Sequence, residues 1–97
     1  MNAAEAIERL AQEREELRRR FDVRSLAIFG SVARNEAGPD SDLDVLVEFH
    51  GPATFDHFMG LKLRLEEMFG CRVDLATPPA IRERMRASVE KDLVHVP

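Results

Sequence analysis

"IFGSVARNEAGPDSDLDVLVEF", residues 28–49, places a glycine and a serine at the end of one apolar run and an Asp-x-Asp pair at the start of the next. The first run, residues 26–29, is short and apolar, as suits a buried strand, and it stops at Gly30. Residues 31–37 have room for about two helical turns before the Gly38-Pro39-Asp40 turn signal. The second run, "LDVLVEF" at 43–49, alternates as a strand does. Carboxylates at the entry of a core strand are costly, so Asp42 and Asp44 need a reason of their own.

Outward from this stretch the pattern alternates. Ile7, Leu10, Arg14, Leu17 and Phe21 recur every three or four residues, which predicts an amphipathic helix over 3–20. Beyond the Gly51-Pro52 breaker, Phe58, Leu61, Leu65 and Met68 form the stripe of a helix over 54–69 that ends at Gly70. A third strand, "RVDLA" at 72–76, follows, and Thr77 before two prolines predicts a last helix from about residue 80 into "VEKDL". The order is that of an α+β domain, α/β-like in sequence, with a small sheet of three or more strands flanked by helices.

The aspartates acquire a reason from the chemistry of close carboxylates. Residues two apart on a strand share a face, so Asp42 and Asp44 project together while Leu43 and Val45 pack the other way. Two such groups repel unless a proton or a cation lies between them. Magnesium suits the pair, because it takes carboxylate oxygens together with phosphate oxygens. Asp74, between Val73 and Leu75, adds a third strand-borne acid. Converging aspartates can hold two ions about 3.5 to 4 Å apart for in-line phosphoryl or nucleotidyl transfer. Gly30 lets backbone approach a phosphate, Ser31 offers a hydroxyl donor, and Arg34 lies within reach of the same anion. For the end of the first strand and the start of the second to share a site, those strands must run antiparallel, which makes the sheet mixed.

Gly30-Ser31, ten residues, Asp42-x-Asp44 and a later strand Asp74 resemble the nucleotidyltransferases with a DNA polymerase β-type palm. The minimal bacterial and archaeal MNT-domain proteins are most similar, and the likeness runs through essentially the whole chain, with Ala33-Arg34 and Ser41 before Asp42 also in the pattern. The resemblance implies ATP with its triphosphate on Gly30 and Ser31, assisted by Arg34 and Ser41. It implies Asp42 and Asp44 as holders of two Mg2+ ions, with Asp74 completing the ion nearer the attacking hydroxyl and helping to deprotonate that hydroxyl. The implied reaction transfers AMP from ATP to a hydroxyl, a tyrosine of a partner HEPN toxin, so that the chain acts as an antitoxin. Two alternatives stand beside it: an antitoxin that masks its toxin without catalysis, and a small-molecule or RNA nucleotidyltransferase. The length disfavours the last, since such relatives carry additional helical domains for their acceptors.

Composition sets the remaining bounds. With 97 residues there is room for one domain, 1–97, and one modest core that buries roughly two-thirds of the unfolded chain's surface. The chain is 44% hydrophobic and 33% charged, with no bilayer-length apolar run, and the expected compartment is the cytoplasm. Its lone cysteine, Cys71, fits a reducing interior. Fourteen basic residues against 18 acidic ones give a net charge of −4 and argue against an extended nucleic-acid surface. His50, His57 and His95 lack zinc-site spacing. Arg18, Arg19 and Arg20 complement a helix C-terminus, and Arg82 and Arg86 share a solvated helical face.

Overall fold

The computed structural model describes residues 1–84 and 86–97, with the side chains of Arg84, Arg86 and Ser88 outside that description. The shared face expected of Arg82 and Arg86 therefore lies outside the described residues. Helix α1, Ala3–Phe21, opens on a capping box, in which Asn2 Oδ1 accepts from Glu5 N at 2.8 Å, and closes on Asp22 in the left-handed region at φ 61°. Strand β1 is Val23–Phe29, α2 is Gly30–Ala33, β2 is Leu43–Phe49, and α3 is Phe55–Phe69. Thr54 Oγ1 caps α3 by accepting from His57 N at 3.1 Å, and Gly70 ends it at φ 64°. Strand β3, Val73–Ala76, leads to α4, Pro78–Arg84, α5, Arg86–Asp92, and a two-residue β4, Val94–His95.

Among the described residues the sheet has the order β3-β2-β1-β4. β1 pairs antiparallel with β2 and with β4, and β2 pairs parallel with β3. The sheet is thus mixed, as a site shared by the end of β1 and the start of β2 demands. Alternation on β2 divides the molecule into two apolar layers. Val45, Val47 and Phe49 join Leu10 and Leu17 of α1 and Leu61 and Leu65 of α3 in the main core. Leu46 points the other way, onto Phe29, Ala76, Ile81 and Val89 beneath α4 and α5.

Several elements differ from the sequence reading for physical reasons. β1 begins at Val23 rather than 26, because Arg24 and Ser25 stand where the register slips between Val23 and Ser25 and so hide the strand's period. α2 is a single turn rather than two. Asn35 adopts φ 59°, Asn35 N donates to Val32 O at 3.0 Å, and Glu36 N donates to Ser31 O at 2.8 Å, which is a Schellman closure. Asn35 Oδ1 also accepts from Ala3 N at 2.8 Å, so the early stop is tied to the start of α1. The last helical region starts at Pro78, two residues before the expected start.

Candidate active site

One end of the sheet collects the predicted residues. Phe29, last in β1, pairs with Asp44 on β2, and Asp44 pairs with Asp74 on β3. Antiparallel β1 and parallel β3 bring a strand's end and two strand starts to the same edge. Leu43 and Val45 are fully buried toward α1 and α3, so the half-buried Asp44 faces the opposite side, above Leu46 and Ala76. Asp42 lies just before β2 rather than within it, so the turn, not the strand pleat, aims its side chain.

Gly30 meets Asp44 directly. At Gly30 φ is 71°, and a Cβ built there would stand 2.1 Å from Asp44 Oδ2. Only glycine fits a left-handed backbone that close to a carboxylate. Burial, followed by the charges of Asp74 and Asp42, pushes the Asp44 carboxyl up to about 6. A hydrogen bond between the Asp44 and Asp74 carboxyls acts in the same direction, and the Arg34 charge acts against it.

The other predicted residues are placed less uniformly. The half-buried Ser31 follows Gly30 in the α2 turn, and its hydroxyl makes no hydrogen bond among the described residues. Arg34 is committed on two sides: its Nε donates to Glu36 Oε2 at 2.9 Å and its Nη1 to Asp92 Oδ2 at 2.8 Å. Ser41 Oγ accepts from Gly38 N at 2.9 Å and Ser41 N donates to Gly38 O at 3.2 Å, so Ser41 closes the turn that delivers Asp42. Asp42 Oδ1 faces Arg72 Nε at 3.4 Å across an exposed pair of little strength.

Glu36, Arg72 and Asp92 are neighbours of the site that the sequence reading passed over. Glu36, two residues beyond Arg34, carried a local signal. Asp92 lies 58 positions away and carried none.

The donor set fits a divalent metal in its chemistry, since it consists of carboxylate oxygens alone, with Asp44 and Asp74 adjacent in register and repelling each other. Among the described residues no three acidic, histidine or cysteine side chains are gathered around one point, and Asp42 Oδ1 faces Arg72 Nε at 3.4 Å.

The family model described as a nucleotidyltransferase domain matches residues 10–95. The protein adenylyltransferase MntA of Thermococcus cleftensis is 38% identical over 87 residues, which cover 90% of this chain and 88% of that protein. A solved structure provisionally described as a minimal nucleotidyltransferase superposes with a TM-score of 0.71 at 36% identity, covering 97% of this chain and 95% of the other. A chain of the solved complex of tri-AMPylated HEPN toxin with MNT antitoxin from Shewanella oneidensis superposes at 0.64. It is 15% identical and covers 93% of this chain and 71% of its own, a likeness of fold. The match takes in β1, the Gly30 turn and all three aspartates in one continuous span, and the chain belongs to the nucleotidyltransferase domain family.

Proposed function

We propose that this protein transfers AMP from ATP to a hydroxyl of a partner protein, a tyrosine of a HEPN-type toxin, and so acts as its antitoxin. The observation that carries the chemistry is the juxtaposition of Gly30, Asp44 and Asp74 at one sheet edge. The choice of acceptor rests on the adenylyltransferase name of the 38% identical relative and on the fold shared with the HEPN–MNT complex. This chain contains no tyrosine, so modification of that residue type must occur on another chain.

In this reading the Gly30–Ser31 turn receives the triphosphate. The uncommitted Ser31 hydroxyl donates to a phosphate oxygen, and Arg34 lends positive charge from the same side. Asp42, Asp44 and Asp74 would hold two magnesium ions, whose charge stabilises the attacking and leaving oxygens when bound. Asp74 accepts the proton of the acceptor hydroxyl. The hydroxyl oxygen forms a bond to the α-phosphorus, the α–β bridging bond breaks, and pyrophosphate leaves with the electron pair. Ser41 serves indirectly, by fixing the turn that presents Asp42. Much of the rate would come from holding the acceptor oxygen close to phosphorus in line with the leaving group.

The test is to incubate the protein with ATP, magnesium and the product of the neighbouring reading frame, then weigh both proteins by mass spectrometry. Added AMP on the partner, absent with Asp42→Asn, is the expected result. A stable inhibited complex without added mass would establish masking instead. Label appearing on small hydroxylated compounds or RNA ends would establish the third reading.

A further inference from the structure

Arg34 and Asp92 join the α2 turn to the end of α5. Arg34 Nη1 donates to Asp92 Oδ2 at 2.8 Å, and Nε donates to Glu36 Oε2 at 2.9 Å. Two of the three guanidinium nitrogens are thereby occupied, and Nη2 makes no hydrogen bond among the described residues. Because the guanidinium is planar and rigid, two anchored nitrogens decide where the third points. The anchoring is unequal. The Asp92 side chain is 17% exposed, against 64% for Glu36, so Asp92 is the partner that water competes with least.

The position of Asp92 is not explained by its own helix. It is the last residue of α5, where a carboxylate opposes the helix dipole and a basic residue is favoured. Its pairing with Arg34 supplies the missing reason. Arg34 in turn is one turn from Gly30, donates its backbone N–H to Gly30 O at 3.1 Å, and is near enough for its charge to be felt at Asp44.

We infer that Asp92 is a positioning residue: it holds the Arg34 guanidinium at the Gly30–Ser31 turn with its free edge turned toward the triphosphate of bound ATP. The inference rests on the nucleotide reading given above. It makes α5 part of the phosphate-binding apparatus, although the aspartates themselves are carried by β2, β3 and the turn before β2.

Charge and orientation predict opposite signs, which makes the inference testable. Asp92 is an anion near a polyanion, so if it acts only by its charge, Asp92→Asn relieves repulsion and ATP binds more tightly. If it orients Arg34, the same variant binds ATP more weakly. The experiment measures the affinity of the full chain for a non-hydrolysable ATP analogue by calorimetry, with thermal melting to verify folding. Asp92→Asn is expected to weaken binding about fivefold to tenfold, less than the loss of a whole hydrogen bond to a charged group, because Arg34 keeps its charge and loses only its orientation. Asp92→Glu should recover most of that loss. In an Arg34→Ala background Asp92→Asn should have no further effect, because the pair acts as a unit.

Tighter or unchanged binding by Asp92→Asn overturns the inference, as does an equal loss in the Arg34→Ala background. Should Asp92→Asn fail to fold, Arg34→Lys decides: it keeps the charge but cannot hold both carboxylates in one plane, so an unchanged affinity overturns the inference and a comparable loss supports it. A wild-type protein that binds no ATP overturns the nucleotide reading itself and this inference with it.

Discussion

Asp44 Oδ2 occupies the space that the β-carbon of any residue but glycine would need at position 30, only 2.1 Å from where that carbon would stand. A carboxylate and a left-handed backbone turn thus claim one another's room, and the site's shape is written into the strand pairing of Phe29 with Asp44. Gly30→Ala should therefore cost about 2 to 4 kcal/mol, combining left-handed strain with the clash. Adding Asp44→Gly should recover the steric share and leave the conformational share, which urea unfolding of the single and double variants will show.

Asp44→Asn should abolish nucleotidyl transfer while leaving the metal-free protein as stable as before, or more so. Burial and the neighbouring aspartates raise this carboxyl from 3.8 to about 6 in the fold. A raised acid binds more protons folded than unfolded between those values, so its contribution is present below pH 4 and lost as pH rises through 6. Asp44 is only half-buried, and screening by solvent limits the loss to about 1 kcal/mol. Melting curves from pH 4 to 8 in the presence of a chelator should display this decline for the wild type and lack it for Asp44→Asn.

Ser31→Ala should leave the fold intact, since the hydroxyl makes no hydrogen bond among the described residues and only the backbone carbonyl of Ser31 is used, by Glu36 N. Removal of one donor to a charged phosphate oxygen should weaken ATP binding roughly tenfold to a hundredfold. Calorimetry with a non-hydrolysable analogue provides the measurement, and an unchanged affinity would reduce Ser31 to a turn residue.

Gly60→Ala should destabilise the protein, against the usual preference of a helix interior for alanine. A Cβ at Gly60 would stand 2.8 Å from Phe21 Cε1, and Phe21 is a core ring with little space into which to shift. The clash should outweigh the roughly 1 kcal/mol gained in helix propensity and leave a net loss of about 1 kcal/mol. Unfolding midpoints of this variant and of Gly60→Ala with Phe21→Leu should separate the two effects.

Glu66 provides a test of how α3 is fastened to β3. Its Oε2 accepts from Val73 N at 3.0 Å and from Lys62 Nζ at 3.2 Å, and the Val73 amide first, then Lys62, holds its carboxyl below the usual range. A lowered acid stabilises above its unfolded pKa and loses that contribution as pH falls through the folded value. Glu66→Gln should therefore lower the melting temperature at neutral pH and converge on the wild type under acid conditions.

Local chemistry determined much of this protein. Apolar runs bounded by glycine and proline placed β2 at Leu43–Phe49 to the residue, and the stripe Phe58, Leu61, Leu65 and Met68 placed α3 to within one residue, Thr54 being its cap rather than its first residue. Because an unpaired carboxylate at a strand entry is costly, Asp42, Asp44 and Asp74 read as a candidate shared site, and that reading calls for an antiparallel first pair, which β1 and β2 form. Only tertiary structure decided the rest. β4 is two exposed residues with no period to detect, and it exists because β1 offers an edge. α2 stops after one turn because Asn35 is drawn to the first residue of α1. Arg34 answers to Asp92 across 58 residues, and Asp42 to Arg72 across 30. Periodicity and caps act over a few residues and leave a local trace. Pairs brought together by the sheet act through space, and they leave no pattern along the chain that makes them.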